Sequence, residues 1–267
     1  MSPVALTIAG SDPSGGAGIQ ADLKTFHQFE VYGMSVLTVV TVQNSVSVTD
    51  VLPLEASIVE RQLEAVIEDI PPDAAKVGAL GSAAIIEVVG SWVDRLPIPV
   101  VVDPVMISTH GQALMPESAT QAFLDYLLPF AYLVTPNLHE ASLLAGIEVD
   151  SLATMEEAAK RIADHGCRNV LVKGGHLTSE PVDLLWTDGE VRTFRSERHN
   201  TPHTHGTGCT FSAAITALLA HQLTLTQAVE QAKSFISEAI RTAPGLGRGN
   251  GPVNHHAPAK LEPATAT

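Results

Sequence analysis

The sequence predicts a single α/β domain in which a mostly parallel sheet carries helices on both faces. Three observations point to it. Short apolar runs alternate with helical periodicity from end to end. Val100-Val-Val102 is a continuous valine run after Pro99, the pattern of a strand buried on both sides. The 267 residues are 45% hydrophobic and 16% charged, enough apolar material for one continuous core, and no repeat, charge block or Ser/Gly linker divides them.

The elements follow in order. Residues 4–8 read as a first strand, and Ile19, Leu23 and Phe26 mark one face of the helix after it. A second strand is expected over 36–42. Ser57-x-x-Glu60 then reads as a capping box opening a helix that carries Leu63, Val66 and Ile67. Residues 75–80, 100–102 and 133–135 are further strands, Thr154-x-x-Glu157 caps another helix, and 170–173 return to the sheet. Residues 182–186 and 191–194, on either side of Asp188-Gly189, read as a small antiparallel excursion. Helices dominate after Gly206, with the apolar run Phe211 to Ala220 among them. Right-handed crossovers in such a sheet place ligands beyond the carboxyl ends of the strands. The domain is expected to span 1–256, with the Ala-, Pro- and Thr-rich tail 257–267 mobile.

Fifteen Lys and Arg against twenty-nine Asp and Glu leave a formal charge of −14, which repels nucleic acid and anionic lipid alike. Neither is expected as a partner. A phosphorylated ligand would need backbone amides or single cations, found at helix N-termini and glycine loops. Two cysteines, Cys167 and Cys209, are too few and too far apart for a disulfide framework or redox pair. The N-terminus has no basic region before an apolar core, and Phe211 to Ala220 is about half a membrane span. A cytoplasmic protein is expected, its oligomeric state left open with a homodimer among the options.

The loop Gly10-Ser-Asp-Pro-Ser-Gly-Gly-Ala-Gly18 joins the first strand to the first helix. A phosphate-binding loop of the Gly-Lys-Ser/Thr kind fails, since no lysine precedes Lys24. Gly16-x-Gly18-x-x-Ala21 matches a dinucleotide fingerprint, but Gln43-Asn44 stands where an acidic ribose ligand belongs. What remains is a loop whose backbone approaches a ligand closely, with Asp12 and Asp22 as polar hooks. The segment from His203 to Ser212 is the strongest signal. Gly206, Thr207 and Gly208 let amides converge at a helix N-terminus, a cradle for a transferring phosphoryl group, and Cys209 sits in the first turn, where the helix dipole lowers a thiol pKa. Cys167 reads as structural.

Asn137-Leu-His-Glu140 places an amide and a carboxylate three apart on one helix face, suited to hydrated Mg²⁺, although Asn before Glu is also an N-cap pattern. Lys173, ending a strand before Gly174-Gly175-His176, offers a cation for ATP phosphates, and Asp103 adds charge near the metal. Among the eleven histidines, His203, His205, His255 and His256 show no ligand spacing with Cys or carboxylates.

These segments resemble the hydroxymethylpyrimidine/phosphomethylpyrimidine kinases, ribokinase-like enzymes of thiamine biosynthesis, from Leu6 to about Pro252. The resemblance is carried by Ala9-Gly-Ser-Asp-Pro-Ser-Gly-Gly-Ala-Gly-Ile-Gln-Ala-Asp22, Val42-Gln-Asn-Ser45, Val102-Asp-Pro-Val-Met106, Thr135-Pro-Asn-Leu-His-Glu140, Lys173-Gly-Gly-His176 and Thr204-His-Gly-Thr-Gly-Cys-Thr210. It implies a three-layer ribokinase-like sandwich. It implies transfer of the ATP γ-phosphoryl to a hydroxymethylpyrimidine and then to its monophosphate. The substrate set is Gly10, Asp12, Asp22, Gln43 and Val105, with Gln43 reading the aminopyrimidine edge. Lys173, Asn137, Thr207 and Glu140 would manage ATP and Mg²⁺, with Asp103 beside the metal, and Cys209 would occupy the base position. Two departures stand out: Gly78-Ala79-Leu80 where the family often has Gly-Met-Leu, and Ser108-Thr109-His110-Gly111 where it often has a lysine before the glycine. The first is expected to widen the pyrimidine pocket and the second to remove a cation. A pyridoxal-type kinase and a non-catalytic sensor on the same fold are the alternatives.

Overall fold

A computed structural model describes residues 2–106, 115, 117–175, 177 and 180–261. One nine-stranded sheet runs through them in the order β3-β2-β1-β4-β5-β6-β7-β8-β9. The strands are β1 (Val4–Ser11), β2 (Tyr32–Gln43), β3 (Val48–Pro53), β4 (Ala74–Val77), β5 (Val100–Val102), β6 (Leu133–Val134), β7 (Asn169–Val172), β8 (Val182–Thr187) and β9 (Glu190–Arg195). From β2 to β7 every pairing is parallel; β3 at one edge and β8–β9 at the other are antiparallel.

The helices are α1 (Gly18–Gln28), α2 (Ala56–Asp69), α3 (Ala83–Val93), α4 (Glu117–Ala122), α5 (Leu138–Ala145), α6 (Leu152–Ala163), α7 (Thr207–Ala220) and α8 (Leu225–Arg241). Two cores fill the space between layers. Leu6, Ile8, Ala75, Val77, Val100 and Val102 point to the layer of α2 to α6. Ala5, Ala74, Val101 and Leu171 point the other way, to α1, α7 and α8. This alternation of strand side chains makes the three-layer sandwich.

The structure corrects several local expectations. The buried face of α1 is Ala21, Asp22, Thr25 and Phe26, with Ile19 and Leu23 only partly covered. Glu55 precedes α2 with no side-chain cap, so Ser57 is inside the helix. Ser151 caps α6, and Thr154 is the reciprocal partner in its capping box. The edge strand β3 has no counterpart in the sequence reading. At the hairpin, Asp188 and Gly189 both take positive φ, 50° and 80°, as a tight β8–β9 turn requires. Ala257, where the mobile tail is expected to begin, is buried, and its carbonyl accepts from Gln28 Nε2 at 2.9 Å. The packed chain therefore extends beyond the expected boundary at 256; residues 262–267 lie outside the described residues.

Sequence order reverses between β1 and β4, since the chain goes first to β2 on one side and later to β4 on the other. The carboxyl ends on either side of that switch point open a crevice. Its wall holds Gly10 near the end of β1, Gln43 at the end of β2, Ala79 after β4, Asp103 after β5, Asn137 after β6 and Lys173 after β7.

Candidate active site

The crevice is one continuous cavity of about 880 Å³. Strand order sets its two ends: Gln43, Gly10 and Ala79 on the β2–β1–β4 side, and Lys173, Asp183 and Lys233 toward β7, β8 and α8. The N-terminus of α7 faces the cavity between them through Gly206 to Cys209. Val105 is in the wall beside Asp103.

Two glycine loops, nearly 190 residues apart, are locked together at the centre. Asp12 organises the first. Its Oδ1 accepts from the amide and hydroxyl of Ser14, each at 2.8 Å, and its Oδ2 accepts from the amides of Gly16 at 3.0 Å and Ala17 at 2.8 Å. His205 Nε2, from the second loop, lies 2.8 Å from the same Oδ2. Burial favours the neutral acid, but hydrogen bonds from His205, Ser14 and Gln43 outweigh it and hold Asp12 far below the usual carboxylate range. Gly206 completes the lock: its φ is +79°, and a Cβ there would run into the carbonyl of Gly16.

The cradle is smaller than the sequence suggests. Thr207 turns both its amide (3.2 Å) and its hydroxyl (2.7 Å) back onto the carbonyl of Thr204. The first-turn amides of Gly208 and Cys209 remain, free of intrahelical acceptors by helix geometry. Gly208 leaves space where it matters, since a Cβ would stand 3.3 Å from Lys173 Nζ and 3.5 Å from Asp103 Oδ2. The amides, the ammonium and a carboxylate thus border one small volume.

Lys173 and Asp103 are ion-paired at 2.7 Å, and Thr135 Oγ1 donates to the same Asp103 oxygen at 3.0 Å. Burial opposes both charges; Lys173 and Lys76 nevertheless pull Asp103 below its ordinary range, and Asp103 and Glu140 raise Lys173. Asn137 does not share a helix face with Glu140. It is the N-cap of α5, its Oδ1 accepting from the Glu140 amide at 2.9 Å while Glu140 Oε2 accepts from the Asn137 amide at 2.8 Å. The capping box anticipated as the plainer alternative is what the fold contains. Burial pushes Glu140 up to about 7, with Lys173 opposing and Asp103 adding to the rise.

Cys209 also departs from expectation. Half-buried at the cavity wall, its thiol is pushed up to about 11 rather than lowered, because burial outweighs the favourable charge of Lys76 and the amide of Gly18. Asp22 is behind the wall rather than in it: fully buried, it accepts two hydrogen bonds from Lys76 Nζ at 2.8 and 2.7 Å and one from Thr7 Oγ1 at 2.6 Å. Lys76 went unnoticed in the sequence, although a lysine inside the apolar run Ala74-Ala-Lys-Val-Gly-Ala-Leu80 is the kind of buried charge that marks a site. Cys167 is buried, its thiol raised to about 12 by burial. His203 and His255 serve structure, His203 Nδ1 accepting from the Gly251 amide at 3.2 Å and His255 Nε2 lying 3.2 Å from Thr210 Oγ1. Residues 108–111 and His176 lie outside the described residues.

Comparison with known proteins agrees with this geometry. A family model described as phosphomethylpyrimidine kinase matches residues 12–254. The hydroxymethylpyrimidine/phosphomethylpyrimidine kinase of Haemophilus influenzae is 46% identical over 262 residues, covering 96% of this chain and 97% of that one. Among solved structures, pyridoxal kinase from Staphylococcus aureus in complex with AMP-PCP and pyridoxal superposes with a TM-score of 0.88 at 38% identity, covering 98% of this chain and 97% of that one. Phosphomethylpyrimidine kinase from Clostridium difficile gives 0.80 at 44% identity, covering 89% and 99%. The chain belongs to the phosphomethylpyrimidine kinase family, a phosphotransferase on a ribokinase-like fold.

Proposed function

We propose that the protein transfers the γ-phosphoryl of ATP to the hydroxymethyl group of a hydroxymethylpyrimidine, and then a second phosphoryl to the resulting monophosphate. The observation that carries this reading is the continuity of the cavity past the amides of Gly208 and Cys209. A ring held near Gly10, Gln43 and Val105 and a nucleotide held toward Lys173 reach those amides from opposite sides, the arrangement an in-line displacement needs. Lys173 and the amides stabilise charge on the transferring group. Cys209, whose sulfur meets the amide of Gly18 in the first glycine loop, is the side chain that would face the acceptor in this arrangement.

The oxygen donors present fit Mg²⁺. Glu140 and Asp103 are buried carboxylates at the cavity, and among the described residues Asp103 Oδ2 has only the Ser212 hydroxyl, at 3.5 Å. Two carboxylates suit an ion held otherwise by nucleotide phosphates and water. When bound, it would neutralise phosphate charge. The cytoplasm is the compartment proposed, consistent with two free cysteines. A homodimer has a surface to form on, where Val42, Val46 and Leu52 at the β2–β3 edge are 56%, 53% and 62% exposed; sedimentation would show it.

A second reading, pyridoxal as acceptor, is favoured by one observation: Ala79, with its small side chain, lines the ring end of the cavity. ATP consumption with purified protein, Mg²⁺ and four acceptors (hydroxymethylpyrimidine, its monophosphate, pyridoxal, ribose) separates the two. Turnover on the first pair supports the proposal; turnover on pyridoxal alone supports the second reading.

A further inference from the structure

The site just described leaves a fully buried charge pair, Lys76 and Asp22, unused. Lys76 lies in β4 with none of its surface open to water. Its ammonium has three donors. Two go to Asp22, and among the described residues no acceptor takes the third. Replacing both members of such a pair by neutral groups is often neutral or stabilising, so stability alone does not account for it. Its position does. On the α1 and α7 side of the sheet, Lys76 shares the cavity wall with Gly18, Asp103 and Cys209, and α7 packs directly on β4. Gly78 keeps the space beside it clear, since a Cβ there would stand 3.2 Å from Lys76 Nζ and 3.0 Å from Ala9 Cβ.

We propose that Lys76, held in place by Asp22, is a positioning residue for phosphoryl transfer: a fixed cation behind Cys209 that readies the sulfur to take the proton of the acceptor hydroxyl. As the acceptor oxygen bonds to the γ-phosphorus and the bond to the ADP oxygen breaks, the hydroxyl proton passes to the Cys209 thiolate. The negative charge leaves on ADP, and the thiol later returns its proton to water. The inference rests on the proposed function in taking Cys209 to face the acceptor. Charged groups reach the sulfur from four elements. Lys76 on β4 and Lys173 after β7 favour the thiolate, while Asp22 on α1 and Asp103 after β5 oppose it. Lys76 acts more strongly than Asp22.

The test is the pH dependence of Cys209 alkylation by iodoacetamide, followed at the Cys209 peptide by mass spectrometry without substrate. Lys76→Met should alkylate about tenfold more slowly at a given pH, and the double variant Asp22→Asn/Lys76→Met, which leaves no unpaired buried charge, should be slowed less but still measurably, because it removes the weaker opposing carboxylate along with the stronger cation. Lys76→Arg should recover most of the rate. The alkaline rise in alcohol phosphorylation should move with alkylation while KM for ATP stays constant. If Lys76→Met fails to fold, the double variant decides. Alkylation in the double variant as fast as in the parent, at every pH, overturns the inference and leaves the pair as core filling. Slowed alkylation in a protein that phosphorylates no pyrimidine supports the electrostatic link and overturns the substrate reading alone.

Discussion

Lys173 at the end of β7 and Asp103 at the end of β5 meet at 2.7 Å across the two-residue strand β6. The contact joins the ammonium proposed to bind phosphate to a carboxylate that also takes the hydroxyl of Thr135. A phosphate entering beside Gly208 competes with Asp103 for the same ammonium. Lys173→Met should therefore lower kcat/KM for ATP by about 10²–10³, the range for loss of one charge-stabilising donor. Asp103→Asn should lower kcat, and the double variant should lose much less than the product of the two effects, because the residues form one unit. Steady-state kinetics on all three variants checks this.

Gln43 has a partner in Asp12 and also faces the ring end of the cavity. Gln43→Leu should weaken acceptor binding by about 1–3 kcal/mol, the cost of a buried polar group left unpaired. ATP affinity should stay nearly constant. Titration of each ligand separately measures both.

Glu140 carries a pH signature. Its folded value of about 7 lies above the ordinary 4.5, so between those values the folded state holds a proton that the unfolded state has released. This contribution to stability is greatest near pH 4.5 and below and is lost as pH rises through 7, a total of about 3 kcal/mol. Glu140→Gln keeps an N3 residue able to complete the cap. Thermal melts of the ligand-free protein should fall more steeply from pH 5 to 8 in the parent than in the variant. The same variant should need more Mg²⁺ for half-maximal rate.

With its thiol near 11, Cys209 is protonated at neutral pH. Transfer to a neutral alcohol should accelerate with pH through the alkaline range, as the thiolate fraction grows about tenfold per unit. A phosphate monoester already presents an anionic oxygen, its second pKa being about 6. Cys209→Ala should abolish the alkaline rise for the alcohol and spare the phosphate acceptor. Single-turnover rates against pH for the two acceptors compare them.

The central strands and the glycine loops were legible in the sequence because both signals are local: valine runs for β5, and glycines immediately before an apolar helix for α7. Contacts made at a distance were not. The segment from Ser151 to Glu157 contains two overlapping cap patterns, and the fold uses Ser151, extended ahead of the helix, with Thr154 already inside the first turn. The dipole at Cys209 can be read from its place in the first helical turn. The burial that reverses its effect comes from α1 and β4, nearly 200 and over 100 residues away. Likewise Asp22 reads as a ligand hook beside a glycine loop, and it is the lysine on β4, invisible as a partner in one dimension, that draws it behind the wall. β3 escaped notice because its short, largely exposed segment lacks clean alternation.

The most direct measurement of the central claim is the stoichiometry of ADP released per hydroxymethylpyrimidine supplied, with ATP in excess and products resolved by chromatography. One cavity serving both acceptors predicts two ADP per pyrimidine, with the monophosphate rising and then falling as the diphosphate accumulates. Release that stops at one ADP, or none with pyrimidine alongside full turnover of pyridoxal, would contradict it.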